Sequence, residues 1–357
     1  MSTALDTYDV VIVGGGLAGA IVARRLAEAA QRVVVMEAQG RAGGSAARGA
    51  GLALLGTPEP YSALQTRLGA VVAQQIWELT RENLAYLSQT LEASGLPIHR
   101  VGSRRVAEAP QEVQQLEQSA KLLHDQAYSV TMEAAHEQNQ LAALYTKDDI
   151  AYKPAALVAA LLKHPNITLE TEAEVQAIKQ PSATSTPPAL LTIWARKRYL
   201  RARRVVLAGG AHALHLGPAL RPLLRVVQTH CLDLAVNTAL PTPLILSGGQ
   251  IVALAEGEGW RVAAWTPQGE PNAWPGLLEK VKSLCPQAIV RDRHSGWVAA
   301  SQDGLPIIGA LPEQPNVYHL NGLGPWGASW AFVAAERLAA LLLQQQDPGV
   351  FSIQRFL

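Results

Sequence analysis

Cysteine is nearly absent. Only Cys231 and Cys285 occur, far apart and outside any CxxC motif, which argues against a disulfide framework, a zinc site and a dithiol relay. No metal is expected, and a reducing compartment, the cytoplasm, is. An excess of charge of one sign is missing too. Thirty basic residues face 29 acidic ones for a net +1, so net charge gives no ground for binding a polyanion, although a local cluster can act on its own. Nor is there an apolar run of the ~18 residues that a spanning helix needs. The most apolar stretch, Ala328 to about Leu343, is interrupted by Glu336 and Arg337, which leaves contact with a membrane surface as the alternative. The N-terminus has no basic region ahead of its first apolar run, so no signal peptide is expected. At 357 residues the chain suits two domains sharing an interface better than one core.

What is present is concentrated in residues 9–37. Asp9 precedes an apolar run, Val10 to Val13, that reads as a buried parallel strand; Gly14, Gly15, Gly16 and Gly19 then follow with the spacing GxGxxG. A helix is expected from Leu17 to about Ala30, and a second apolar strand, Val33 to Met36, ends on Glu37. Gly14 permits the tight turn, Gly16 lets a pyrophosphate approach the backbone, and Gly19 lets the helix pack closely on the strand. The phosphates then lie on the helix N-terminus. Glu37 is placed to accept hydrogen bonds from a ribose diol, and its charge selects against the 2′-phosphate of NADP.

A second glycine-rich turn, Gly40 to Gly51, follows directly, and its small residues let backbone lie along an extended ligand. Helices are expected at Tyr61–Leu68 and Val71–Ala93, strand material at Leu96–Ala107, and amphipathic helix through 110–140. A helix starting at Tyr152-Lys153-Pro154 runs to His164, and Ile167 to Ile178 gives one or two strands. A polar loop at 180–188 separates these from Leu190–Ala195 and Tyr199–Leu207, which complete a small meander. Arg196, Lys197, Arg198, Arg201, Arg203 and Arg204 crowd into nine positions. This run reads as a solvated hairpin turn, with a nucleic-acid backbone as the competing reading. From Arg221 to Trp265 alternating apolar runs suggest an antiparallel sheet. Trp260, Trp265, Trp274, Trp297, Trp326 and Trp330 all fall in the last third, where some can wall a ligand cavity and most belong to the core. The chain closes with Asp303-Gly304-Leu305-Pro306-Ile307-Ile308-Gly309, a strand at Val317–Leu320, and Asn321 to Gly327 opening a final helix.

The opening fingerprint, the RRVVLAGG strand after a meander, and DGLPIIG followed by GLGPWG and a terminal helix together resemble the D-amino-acid oxidase-like flavoproteins. That family includes glycine and sarcosine oxidases and the FAD half of the bacterial bifunctional wobble-uridine-modifying enzyme. The resemblance implies an α/β fold. A Rossmann-like FAD-binding domain, from residues 1–60, 150–215 and 300–357, would be interleaved with an antiparallel-sheet α+β substrate domain from 61–149 and 216–299. It implies FAD, and no His or Cys stands in a setting suited to a covalent flavin, so the cofactor is expected to be non-covalent. Adenosine would lie on Gly14, Gly15, Gly16, Gly19, Glu37 and Ala38, with the backbone of Val175 touching adenine. Gly43, Gly44, Ser45, Arg48, Gly49 and Ala50 would line the path of the pyrophosphate toward the flavin, and Gly209 would also contact the cofactor. Gly324, Pro325, Trp326, Gly327, Ala328 and Ser329 would sit beside the pyrimidine end of the isoalloxazine, their N–H groups stabilising the anionic reduced flavin.

The sequence departs from the family at the substrate. Amino-acid-oxidising members usually carry an arginine five residues before the aspartate of the DGLP segment, pairing with the substrate carboxylate; here Val298 stands there. Pro325 falls where a second arginine is often found, and Gln250 near where some members have tyrosine. Arg48, Arg291, Arg293 or His294 could supply a replacement charge, whereas His212 and His230 read as packing residues. The expected pocket is Gln250, Trp265, His294, Val298 and Trp326, with no catalytic residue assigned, since hydride transfer to flavin requires no general base. The implied activity is FAD-dependent oxidation of a C–N bond, in an amine or N-substituted amino acid, to an imine. A small-molecule amine is the expected partner, with oxygen or another compound as electron acceptor, in a chain that acts as a homo-oligomer or beside a partner subunit. Two rival readings are a tRNA wobble-uridine side-chain modifying enzyme and a subunit that holds FAD without turnover.

Overall fold

A computed structural model describes residues 6–40, 44, 49–134, 140–181, 190–196, 198–267 and 274–357. The opening apolar run forms strand β1 (Thr7–Val13), helix α1 (Leu17–Glu28) follows, and strand β2 (Val33–Met36) returns parallel to β1, Val10 against Val33 through Val13 against Met36. β1 also pairs in parallel with the long strand Arg198–Leu207, and Ile167–Glu170 extends the sheet beyond β2. Val317–Asn321 joins the end of that long strand in parallel and pairs with Ile307–Ala310 on its other side. Val175–Lys179 and Leu191–Ala195 bring the sheet to eight strands.

β1 and β2 are apolar on both faces because both are covered. Val10, Ile12, Val33 and Val35 pack with α1 and with the C-terminal helix Ala331–Gln344, and an Arg25–Glu336 ion pair ties the two helices at their edge. Val11, Val13, Val34 and Met36 pack with Leu191, Ile193 and Leu200 of the meander. This double burial explains why the strands read as continuous hydrophobic runs without alternation.

The second sheet also has eight strands, in the order Ile289–Ser301, Leu224–Ala235, Gly259–Pro267, Ile251–Glu256, Leu244–Leu246, Ser103–Ala107, Ala142–Thr146 and Val130–Ala134. Its pairings are antiparallel except that of Leu244–Leu246 with Ser103–Ala107, which is parallel. One face is buried by the helix Trp274–Leu284, through Leu232, Val262, Leu277 and Val281. On the other, Val252 and Leu254 pack with Leu52, Leu54 and Trp326, so this face looks toward the loop before the C-terminal helix and the segment after Gly51.

Two expectations need correction. Helix was expected throughout 110–140, but the helix ends at Asp125 and the chain turns through Ala127, at φ 60°, into the hairpin strands Val130–Ala134 and Ala142–Thr146. Tyr128 and Val130 are needed in the core there, and helical spacing cannot deliver both. The helix that begins at Pro154 stops at Leu161, short of His164. Among the described residues no helix is long and apolar enough to cross a membrane.

Candidate active site

Between the two eight-stranded sheets lies a cavity of about 520 Å³. Its first end is built by the glycine turn. Gly14 adopts φ 107°, and a Cβ there would stand 2.8 Å from the Ala208 carbonyl oxygen and the Gly209 Cα; a Cβ on Gly19 would strike the carbonyl oxygen of Gly14. Gly16, by contrast, faces open space and lines the cavity with Gly14, Leu17 and Ala18. Gly16 is also the N-cap of α1 and offers no side-chain cap, so the N–H groups of the first turn remain available to an anion. Glu37 is buried at 8% exposure. One carboxylate oxygen accepts the Gly15 N–H at 2.8 Å and the other accepts the Gln39 N–H at 2.8 Å. Each oxygen retains a lone pair for a ligand hydroxyl.

The opposite wall is the loop before the C-terminal helix. Its first helical residue, Ala331, follows Trp330, which has no oxygen with which to cap the helix. The cap comes from Asn83, on the helix Ala70–Ala93. Its Oδ1 accepts the N–H groups of Phe332 at 2.9 Å and Val333 at 3.2 Å, while its Nδ2 donates to the Ala328 carbonyl at 3.0 Å. Ser329 Oγ accepts the Leu54 N–H at 2.9 Å, tying the loop to the segment that follows the second glycine-rich turn.

The far end is apolar and aromatic. Trp265 and Trp326 both donate their indole N–H to one carbonyl, that of Gly249, at 3.4 and 3.3 Å. Gly249 sits at φ 93°, where a Cβ would strike the Pro58 carbonyl oxygen. Arg105 stacks on Trp326, 5.3 Å from the ring centroid, and donates to the carbonyls of Thr57, at 2.8 Å, and Pro58. Burial lowers the Arg105 pKa to about 10, with Asp149 opposing that shift. Burial pushes Asp149 up to about 7, against the hydrogen bonds from Ser103 and Leu55 and the charge of Arg105.

The sequence-predicted residues distribute as follows. Gln250, Trp265, Val298 and Trp326 line the cavity, as do Gly14, Gly16, Glu37, Ala38, Gly44, Gly49, Ala50, Val175, Gly209 and the run from Gly324 to Ser329. Gly15 and Gly19 do not line it, and act behind it through Glu37 and through helix packing. Gly43, Ser45 and Arg48 lie outside the described residues. His294 does not line the cavity; its imidazole is 3.5 Å from Asp233 and 3.4 Å from Asp292. Arg293 stacks on Trp274 at 5.9 Å. Arg261, which the sequence did not single out, is held by both oxygens of Asp233.

Thr229 and Cys231 line the cavity and were not foreseen, whereas Trp297, one of the tryptophans expected to supply its wall, lines it too. The first two point to one face of the strand Leu224–Ala235 by simple alternation, and the pairing of Val227 with Val298 and Thr229 with Gly296 brings them beside Val298. Among the described residues that line the cavity none is a lysine or an arginine. His212 and His230, expected only as packing residues, also line the cavity; His230 is buried, packs edge-on against Trp274 at 4.8 Å, and has no hydrogen-bond partner on either ring nitrogen among the described residues. Burial lowers its pKa.

A profile of the FAD-dependent oxidoreductases of the DAO family matches residues 9–341. The chain belongs to that family. The cofactor is therefore FAD, and the cavity fits it: an open Gly16 at a helix N-terminus, a buried carboxylate with free lone pairs, and a long apolar continuation. Bound there, FAD supplies a two-electron acceptor. Among solved structures the chain is similar to glycine oxidase from Geobacillus kaustophilus, with a TM-score of 0.81 and 22% identity over 98% of this chain and 99% of that one. It is similar also to L-proline dehydrogenase from P. horikoshii, with a TM-score of 0.80 and 15% identity over 99% and 98%. A curated relative from Marinobacter nauticus, named as a tRNA 5-methylaminomethyl-2-thiouridine biosynthesis bifunctional protein, is 25% identical over 96% of this chain. A protein of the same name from Polaromonas naphthalenivorans is 26% identical over 93%. The chain spans 56% of the length of each.

Proposed function

We propose that the chain holds FAD non-covalently between its two eight-stranded sheets, which serve as the cores of two interleaved domains divided near residues 60, 150, 215 and 300, and oxidises a C–N bond of an amine to an imine that water then hydrolyses. The carrying observation is one continuous cavity that joins the Glu37 carboxylate and the α1 N-terminus to an indole-lined end. Glu37 and the first turn of α1 would bind the adenosine diphosphate half. The loop Gly324 to Ser329, held by Asn83, would support the flavin half, and its proximity to the start of the C-terminal helix favours negative charge there. Trp265, Trp326 and Val298 shield the reacting carbon from water, which favours the neutral form of an amine. Thr229 spends its hydroxyl hydrogen on the Gly296 carbonyl at 3.3 Å, leaving its oxygen lone pairs and the Gln250 amide as polar contacts for the substrate nitrogen.

The neighbours named glycine oxidase and L-proline dehydrogenase act, by those names, on amino acids. Val298 and the absence of Lys and Arg among the described lining residues favour an amine with no free α-carboxylate for this chain. The test is anaerobic reduction of the bound flavin by a panel of simple amines, N-methyl amino acids and α-amino acids. Bleaching by amines supports the reading, and a flavin that no member of the panel reduces contradicts it. A second reading, oxidation of an amine side chain on tRNA, draws its support from the two curated relatives.

A further inference from the structure

The basic run of the long strand Arg198–Leu207 has no part in the cavity chemistry. We infer that the outer face of the meander built from Val175–Lys179, Leu191–Ala195 and Arg198–Leu207 binds single-stranded RNA. Alternation divides these strands cleanly. Leu191, Ile193, Ala195, Leu200 and Ala202 are buried in the core beneath the meander, whereas Trp194, Arg196, Tyr199, Arg201 and Arg203 face solvent. Trp194 and Tyr199 stand directly opposite each other in the ladder, at 43% and 57% exposure, with ring centroids 5.8 Å apart in an edge-to-face pair. Two large aromatics left in water on one sheet face offer what unpaired bases stack on.

The charges around them are of two kinds. Arg198 is taken up by the carboxylates of Asp6 and Glu170. Arg203 reaches Asp9 only at 3.8 Å. Arg196 and Arg201 have no ion pair among the described residues, and Lys179 pairs across the ladder with Thr192, one strand from Arg201. Uncommitted cations flanking an exposed aromatic pair match a backbone of phosphates carrying bases. A membrane surface accepts the same aromatics and cations, but among the described residues this face exposes no large aliphatic side chain that would insert beside them. RNA is preferred to DNA because both curated relatives are named for tRNA modification. The face adjoins the cofactor cavity: the Arg196 N–H donates to the carbonyl of Glu174, and Glu174 and Val175 line that cavity.

The test uses the FAD-loaded full chain and a fluorescein-labelled 12-nucleotide unstructured RNA, followed by fluorescence anisotropy. Binding in the micromolar range at 50 mM salt is expected. With three to four phosphates engaged, affinity should fall roughly twenty- to fiftyfold between 50 and 200 mM salt. Trp194→Ala with Tyr199→Ala, and separately Arg196→Gln with Arg201→Gln, should each weaken binding at least tenfold. Arg221→Gln with Arg225→Gln, exposed cations elsewhere, should leave it within twofold. Flavin absorbance and melting temperature report that each variant is folded, and amine reduction of the flavin is scored independently of RNA binding. No anisotropy change at 50 mM salt overturns the inference, as does binding that survives in both meander variants. So does association with phosphatidylserine vesicles that is tighter than with RNA and is lost in the same variants.

Discussion

Replacing Asn83 by leucine removes the cap of the C-terminal helix while keeping the number and branching of side-chain heavy atoms. Asn83 is fully buried, so no water stands ready to take its place. Three backbone groups lose their partner: the Phe332 and Val333 N–H groups and the Ala328 carbonyl. A buried group left unpaired costs about 1–3 kcal/mol. Fraying of the first turn recovers part of this for the two N–H groups, which leaves an expected loss of about 3–5 kcal/mol, at the upper end of what one substitution does. Because Ala328 and Ser329 line the cavity, the same change should loosen FAD. The assays are denaturant unfolding of the holoprotein and flavin release on dilution. Asn83→Asp is the informative companion. It keeps the acceptor for both N–H groups and adds a charge that the helix N-terminus favours, but it sets a second oxygen against the Ala328 carbonyl in a buried site, so a smaller loss than that of Asn83→Leu would show that the two N–H groups carry most of the cap. Asn83→Leu within about 0.5 kcal/mol of wild type, with FAD retained, would refute the capping argument.

Three further outcomes are expected. Glu37→Ala should weaken FAD tenfold to a hundredfold, since a charge-assisted hydrogen bond contributes about 1.5–3 kcal/mol, as read by quenching of flavin fluorescence on titrating the apoprotein. His319 is fully buried with neither ring nitrogen partnered among the described residues, and burial lowers its pKa to about 4. The unfolded chain therefore takes up the proton first: the full contribution to stability is present above about pH 6.5 and about 3 kcal/mol is lost as pH falls to 4. Against His319→Leu the wild type should show this extra acid slope in denaturant unfolding, and parallel pH curves would remove it. Val298→Arg should place a cation at the indole-lined end and strengthen sarcosine binding tenfold or more, measured by flavin spectral perturbation; no change would mean that position 298 does not meet the substrate.

The turn from β1 into α1 and on to Glu37 was legible because its determinants are local: three glycines, a helix and a strand end within thirty residues. The two-sheet fold was legible chiefly through the resemblance of three separated segments to one family. What could not be read depends on pairings across the chain. Asn83 is one polar residue inside an amphipathic helix, and nothing near it announces a bond to Phe332. Thr229 and Cys231 acquire meaning only once Leu224–Ala235 is paired with Ile289–Ser301. His294 shares the expected strand with Val298 but lies opposite Cys231, where Asp233 and Asp292 engage it instead of a ligand. The helix expected through 130–140 failed for a related reason: Gln- and Glu-rich sequence suits a helix locally, while the hairpin is required by the sheet edge it completes.

The central claim is that this cavity holds FAD and passes electrons to it from an amine. Its most direct test is the visible spectrum of the purified protein, followed by anaerobic titration with carboxylate-free amines. The account predicts a flavin band, in the protein as isolated or after reconstitution with FAD, that a carboxylate-free amine bleaches. No flavin band even after reconstitution would contradict it at its base, and bleaching by sarcosine or glycine but by no simple amine would contradict the substrate class drawn from Val298.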